Sequence, residues 1–533
     1  MAVEIKAQGD VVHIPAHAHH KDSIDFSLSV WTRLLVGCVF VLACQCALAQ
    51  AMYRINPLGH LGGCTASAPL AYGFNEADQV TGQACNAHGD MHAFVWKNGS
   101  PMVDLGPAEV GSSSIGYAIN ASGLVAGNAA DSTGTFAFVS SGNGSPMTKI
   151  PNSIGGTSTT FGALNNVGQV TGSADIANVY GDHVFLWKND GSQMADLGDL
   201  NGCGSYAQAI NDTGQVVGSA YDCDRSGNLF IWRNDGTPMT YLGSNGGSNG
   251  RACCINASGQ VAGSLTLGYS WHHAFVTGKN GIGVKDLGAL KVGAMSFGNA
   301  LNYAGDVAGY SAIQSLFNSD WWHAVVWMNG GTIKDLKTFG GKRSQANDIN
   351  ASGQVTGWAA ITGDIANHAF LWRNDGTNIQ DLNTLIDPTD PSKPYVTLTV
   401  GEFINKFGDI VADGTDSRTG LQGLYLLQGT VLTLSPRSLA FGSHPINTAS
   451  AAKSVTMTNT SPKPVAISSV ALTGTASGQF ASTNNCGKSL AGHAICTIKV
   501  TFRPTTKGAK SAFLNVNGGG GGLRTVTLTG TGA

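Results

Sequence analysis

The chain has 533 residues, a formal net charge of −3 and only 12% charged residues, about half the usual quarter. Glycine supplies 73 positions, roughly twice its ordinary share. A hydrophobic content of 42% excludes a disordered chain, and the weak negative charge argues against a chain-wide basic surface for nucleic acid.

In chain order, the first feature is an apolar run from Leu34 to Ala43, preceded by Arg33 and followed by the small-x-small pattern Ala47-Leu48-Ala49. This reads as a secretory signal peptide cut near Ala49, so that residues 1–49 are leader. The run is too short to span a bilayer, which takes about 20 apolar residues, and no transmembrane segment is expected. The leader before it is long and carries both signs of charge, leaving a downstream start as an alternative. A lipoprotein cut before Cys44 is disfavoured by Leu42, where a small residue belongs. The histidines His13, His17, His19 and His20 resemble a metal tract, yet they precede the signal and would leave with it. Of eleven cysteines, Cys38, Cys44 and Cys46 fall in the leader. The others, in an exported chain, favour disulfides over free thiols, and no CxxC pair suggests a metal or redox site.

From Tyr53 onward one phrase recurs: an apolar residue, Asn, a short turn usually holding Gly, then a polar residue, Val, one residue and Gly. Its Asn stands at Asn75, Asn120, Asn165, Asn211, Asn256, Asn302, Asn350 and Asn405, with intervals of 45, 45, 46, 45, 46, 48 and 55 residues. A second phrase follows, as in His92-Ala93-Phe94-Val95-Trp96, His183-Val184-Phe185-Leu186-Trp187 and His368-Ala369-Phe370-Leu371-Trp372. A third closes most units, as in Asp104-Leu105-Gly106 and Asp286-Leu287-Gly288. Asn opens a tight turn because its side chain bonds backbone two residues on. The β-rich His-Ala-Phe run and the following Asn-Gly or Asn-Asp-Gly hairpin signals predict four strands per unit. Four strands in about 45 residues is the size of a propeller blade. The expected fold is all-β: a propeller of about eight blades over 50–431, with seven as the alternative because the last turn phrase is degenerate and its interval stretched.

These phrases resemble the bacterial extracellular repeats of the HAF family, over roughly residues 53–430. The resemblance implies a secreted, propeller-like array. Copies depart from the pattern at Phe136, Asn228 and Val325, so the repeated His is dispensable in some blades.

From about Leu432 the repeat stops, and 432–533 reads as a separate module of short alternating strands, such as Val455-Thr456-Met457-Thr458-Asn459. About 100 residues of this kind fit an immunoglobulin-like sandwich. The Phe441-Gly442, Asn459-Thr460, Phe502-Arg503-Pro504 and Gly530-Thr531-Gly532 phrases resemble the ASPM/Hydin-type (ASH) domain. That resemblance implies an adhesive or spacer role and a Cys486–Cys496 pair. Repeat equivalence predicts two further disulfides, Cys64–Cys85 and Cys203–Cys223, each joining the residue after a fourth strand to one just beyond a second strand. Cys253 and Cys254 either remain reduced and buried or form a vicinal bond.

Catalytic and cofactor motifs are missing: no nucleophile elbow, no His-Glu-x-x-His, no phosphate loop. No cofactor and no metal are expected. The repeated His is read as a hydrogen-bond partner of a neighbouring loop, and the Asp of Asp-Leu-Gly as a turn cap. Asp222, Asp224 and Asn228 around Cys223 offer oxygen ligands for calcium, without EF-hand spacing. The most unusual loop, 310–322, carries Tyr310, Phe317, Trp321 and Trp322. Exposed aromatics there would stack on sugar rings or anchor a partner; otherwise they plug a gap between blades. Two function classes follow. One is a secreted or cell-surface, non-enzymatic scaffold binding a glycan or protein ligand, with the periplasm as alternative location. The other is a secreted propeller enzyme, a hydrolase or lyase acting on carbohydrate. Converging, non-repeated Asp, Glu or His would mark the second, and none is evident in the sequence.

The last expectation concerns closure. The final unit lacks a fourth strand, while the segment at Tyr53-Arg54-Ile55-Asn56-Pro57 precedes the first unit. Residues 52–58 are expected to pair antiparallel with residues near 423–428 and close the ring.

Overall fold

The computed structural model describes residues 53–533, apart from 65–66, 108–110, 133, 143–144, 146, 201, 222, 224–226, 244–246, 268–270, 315–320, 330, 430–431, 437, 460–463 and 519–521. The signal-peptide reading, the leader histidines and Phe317, Asp222 and Asp224 therefore lie outside the described residues.

Each repeat unit folds as one antiparallel sheet. Blade 1 comprises Leu70–Phe74, Gln79–Cys85, Met91–Lys97 and Val103–Asp104, paired in chain order. The repeat phrase builds the first turn. Asn75 Oδ1 accepts from the Ala77 and Gln79 amides, both at 3.0 Å. The His-Ala-Phe strand lies between two neighbouring sheets, and Ala93, Phe94, Val95 and Trp96 are all buried. A strand covered on both faces reads as an unbroken apolar run rather than an alternation. Blade 8 runs through Val396–Ile404, Ile410–Asp416 and Leu421–Gly429. A parallel bridge, Trp322 to Arg343, joins the strand ladders of blades 6 and 7.

Eight blades form, and the fourth strand of the last is Tyr53–Pro57, from the opposite end of the array. It pairs antiparallel with Leu421–Gly429, from Tyr53 opposite Gly429 to Pro57 opposite Tyr425. The ring closes without open edge strands between its ends.

The repeated Asn does more than make its turn. Its Nδ2 donates to the main-chain oxygen of the next blade's Asn, seven times in succession from Asn75→Asn120 to Asn350→Asn405, at 2.9–3.4 Å. The final link is different: Asn405 Nδ2 donates to the Asp78 carboxylate at 2.9 Å. A second set of links uses the Ala of the His-Ala-Phe phrase. The amides of Ala93, Ala137, Ala274 and Ala324 donate to Ser114, Thr159, Ser296 and Ser344 on the following blade's innermost strand, at 2.8–3.0 Å.

The repeated Val-x-Gly has a packing cause. Every innermost strand is bulged three residues before its Asn, as between Ala71 and Gly73 or Gly116 and Ala118. The bulge drives the Leu70 and Ile115 carbonyls against Gly82 and Gly127, where a Cβ would overlap the oxygen outright.

Beyond the ring, Leu432–Ser435, Lys453–Asn459, Ile495–Phe502 and Phe480–Asn484 form one sheet of a sandwich. The other contains Ser438–His444, parallel to Gly522–Gly532, then Gly508–Gly518 and Val465–Thr473. Phe502, Val455, Ile498, Leu514 and Leu528 fill the space between them. Arg524 joins sandwich to ring: its guanidinium lies 3.5 Å from Asp387, which also meets Arg54 of the closing strand at 3.5 Å.

Candidate ligand-binding cleft

The repeated polar residues are occupied with one another. In five blades the His Nδ1 meets the carboxylate of the Asp that closes the same unit: His92–Asp104, His183–Asp196, His273–Asp286, His323–Asp335 and His368–Asp381, at 2.7–3.1 Å. The Nδ1 partner is thus in the same blade, while the other ring nitrogen reaches the neighbouring loop in His273, 3.1 Å from the Ala294 carbonyl, and in His92, 3.5 Å from Ser112 Oγ. Each Asp also accepts from an amide two residues on, as at Gly106, Gly198 and Gly288, which is the turn-capping role. The Asp104 hydrogen bond, against the cost of burial, holds the His92 pKa above its ordinary value. Burial works against ionisation of Asp335, but bonds from His323 and Lys337 outweigh it and bring its pKa down to about 2. Where the His is absent its partner changes too. In blade 2 the equivalent residues are Phe136 and Lys149, and the ammonium lies 4.4 Å from the ring centroid. Five His-Asp pairs spread over five blades cannot converge on one reacting bond. No group of three or more His, Cys, Asp or Glu able to hold a metal occurs among the described residues.

A non-repeated acid pair does exist. Glu402, at the bulge of blade 8's innermost strand, hydrogen-bonds Asp413 on the next strand, and burial with mutual repulsion pushes Glu402 up to about 8. Asp413 is raised as well, chiefly by burial. The two carboxyls share a proton.

The aromatic residues gather in blade 6. Phe297 on Ser296–Leu301, Tyr310 on Val307–Ala312 and Trp322 on Trp322–Met328 stand side by side across the sheet. Phe297 and Tyr310 stack at 4.9 Å between centroids, and Tyr310 and Trp322 follow at 6.2 Å. His272 of blade 5 extends the row, stacked on Phe297 at 5.4 Å. Phe297, Tyr310 and Trp322, with Met295, Gln314 and Gln345, line a cavity of about 270 Å³. The Trp322 Nε1 is buried and has no hydrogen-bond partner among the described residues. Burial raises the Tyr310 pKa, partly opposed by Arg251. Trp321 does not line this cavity; it is 38% exposed, with the Lys342 ammonium 5.3 Å above its ring. Sequence reading missed Phe297, His272 and Gln345, because nothing in linear order ties them to 310–322.

The cysteines pair as Cys64–Cys85, Cys203–Cys223, Cys253–Cys254 and Cys486–Cys496, with Cα separations of 5.6, 5.2, 3.8 and 5.0 Å. The vicinal pair falls at the bulge of blade 5's innermost strand. Asn228 lies within Gly227–Trp232.

Comparison with known proteins assigns the sandwich. Residues 430–524 match the family model "ASH: Abnormal spindle-like microcephaly-assoc'd, ASPM-SPD-2-Hydin". An ASH/PapD-like domain of human CEP192 is 16% identical, with a TM-score of 0.16, over 20% of this chain and 86% of that one. A puromycin hydrolase mutant complexed with PGG is 13% identical at TM-score 0.41, over 67% of this chain and 60% of that chain. TolB from Acinetobacter baumannii is 8% identical at TM-score 0.31, over 57% of this chain and 63% of that one. The chain thus spans less than two thirds of the length of either of these two proteins. No curated protein matches the chain in sequence. No helix among the described residues is long and apolar enough to cross a membrane.

Proposed function

We propose that this protein is a secreted or cell-surface, non-enzymatic binding scaffold: a ring of HAF-type blades that presents a ligand cleft, with the ASH-type sandwich as spacer or adhesive module. The observation that carries this reading is the contrast between repeated and unrepeated residues. The repeated His and Asp are spent on latches within their own blades, while the aromatic row of blade 6 leaves a lined, open cavity. Paired cysteines are consistent with an extracellular or periplasmic setting. Glu402 and Asp413 bond each other directly, whereas carboxyls that cleave glycosidic bonds stand about 5 Å or more apart, which supports binding over hydrolysis.

The test is a screen of the secreted chain against immobilised glycans and surface proteins, repeated with the Trp321→Ala/Trp322→Ala double variant. Loss of binding by about tenfold or more, with a melting temperature within a few degrees of the parent, is the expected result for removing a central aromatic anchor. Undiminished binding by the folded double variant would remove the cleft from the proposal.

A further inference from the structure

Each innermost strand turns one bulge residue out of its ladder, at the same place in every blade, so these residues form a belt around the ring axis. Blades 1 and 2 put Tyr72 and Tyr117 there. Blades 4, 6 and 7 put Gln208, Asn299 and Asn347 there, and blade 8 puts Glu402. None of these six is buried. All lie within their strands rather than at the ends, so the solvent that reaches them is on the axis.

The belt has two arcs. One is aromatic. The Tyr72 and Tyr117 rings meet across blades 1 and 2 at 5.4 Å, and Phe161, beside the bulge of blade 3, lies parallel to Tyr117 at 6.1 Å. Parallel rings at that centroid distance are offset, which leaves part of each face open. Tyr72 is 36% exposed and Tyr117 37%, and neither hydroxyl has a hydrogen-bond partner among the described residues. Burial first, and then Tyr117, raise the Tyr72 pKa, so this phenol stays protonated and uncharged. The rings are not needed to fasten the blades. Gln83 Nε2 already donates to the Ser114 carbonyl at 3.1 Å, and Asn128 Oδ1 accepts from the Phe161 amide at 2.7 Å.

The other arc is built of amides. Gln208 Oε1 accepts from the Ala252 amide at 3.0 Å, and Asn299 and Asn347 donate to the Ala346 and Gly401 carbonyls at 2.9 and 3.0 Å. Each side chain is held at one end of its amide, and the Gln208 Nε2 and Asn299 Oδ1 ends have no partner among the described residues. Counted round eight blades, blade 6 stands across the axis from blade 2, so Asn299 faces the arc that holds Tyr117. Rings on one side and fixed amides on the other suit a sugar, with C–H faces that lie on aromatic rings and hydroxyls that pair with amides and phenols. Residues inside a circle of eight strands are reached by a slender chain, not by the surface of a folded partner.

We infer that the axial belt binds a neutral oligosaccharide, with sugar faces on Tyr72, Tyr117 and Phe161 and hydroxyls toward Asn299 and Gln208. This site is separate from the blade 6 cleft. The experiment is calorimetric titration of the secreted chain with cellohexaose, mannohexaose and hexa-N-acetylchitohexaose. At least one should bind, with an affinity that changes less than about twofold between about 0.05 and about 0.5 M salt. Tyr72→Ala/Tyr117→Ala should weaken it about tenfold or more, Tyr72→Phe/Tyr117→Phe less, and Trp321→Ala/Trp322→Ala not at all. Nitration of the parent chain by tetranitromethane, mapped by peptide mass, needs no variant. Saturating sugar should protect Tyr72 and Tyr117 several-fold and leave Tyr303, 73% exposed, as reactive as before. Failure of all three sugars to bind, a steep salt dependence, or unprotected Tyr72 and Tyr117 at saturation overturns the inference. Binding that falls with the Trp321/Trp322 pair and survives loss of the Tyr72/Tyr117 pair places the sugar in the blade 6 cleft, so that this inference fails while the cleft reading stands.

Discussion

Glu402 occupies a position where other blades carry neutral side chains. Gln208 holds the equivalent bulge in blade 4, where its Oε1 accepts from the Ala252 amide at 3.0 Å. In blade 7, Asn347 donates across to the Gly401 carbonyl at 3.0 Å. Glu402 instead shares a proton with Asp413, and burial holds its pKa near 8 rather than 4.5. The sign follows from the protonated form being favoured in the fold. As pH rises from about 4.5 toward about 8, the unfolded chain has already released this proton while the folded chain retains it, so stability falls across that window. Glu402→Gln, which the fold already accommodates in blade 4, should flatten that decline and gain about 1–2 kcal/mol at pH 8. Denaturant melts at a series of pH values read this directly; parallel slopes for parent and variant between about pH 5 and about pH 8 would contradict it.

At the scale of the blade, the strand order and the turns were legible in the sequence because they follow from local chemistry. The Asn turn, the hairpin signals and the apolar third strand each declare themselves within ten residues or so. The His-Asp latch was missed, the His being assigned to a neighbouring loop and the Asp to a turn cap, although the sequence carries a signal for it. Each latch spans 12 or 13 residues, and the two residues change together in blade 2, where Phe136 meets Lys149. Internal covariation was the signal. The cleft was legible only in part: Tyr310 and Trp322 stood out in and beside the long loop, but Phe297 comes from the paired strand of the same sheet and Gln345 from the next blade. The glycine of Val-x-Gly offers a test of the packing account. Gly127→Ala would drive a methyl into the Ile115 carbonyl and should cost about 2–4 kcal/mol, the scale of overpacking with a backbone shift. Blade 8 carries Ala412 in the same place, opposite Gly401, and Ala412→Gly should cost only about 1 kcal/mol. Equal, small effects of both changes on the denaturation midpoint would show that the carbonyl moves aside without penalty.

The whole ring depends on a segment of five residues. Tyr53–Pro57 completes blade 8 along one edge. Along the other, the Tyr53 amide donates to the Leu385 carbonyl at 2.8 Å, and the Ile55 amide to Asp390 at 3.0 Å. Its Tyr53 ring is buried, and its hydroxyl donates to the Gly408 carbonyl at 3.1 Å, under the Asn405 turn. That turn makes the one odd link in the Asn ring, to the Asp78 carboxylate, and Asp78 also accepts from Gln428 at 3.0 Å. The junction of blades 8 and 1 is therefore built from side chains, where the other seven Asn links end on main-chain oxygens. Removing residues 53–57 should expose the edge of Leu421–Gly429 and uncover Leu424 and Leu427, both buried in the intact ring. The expected outcome is a melting temperature lower by about 10 °C or more, for a loss of several kcal/mol in a large domain, and rapid tryptic cleavage after the exposed Arg418. A synthetic peptide spanning residues 51–59, added in excess, should restore protection at Arg418 by refilling the groove. Cleavage at Arg418 that is as slow in the truncated chain as in the parent would mean that blade 8 stands without its fourth strand, and that the ring is held shut elsewhere.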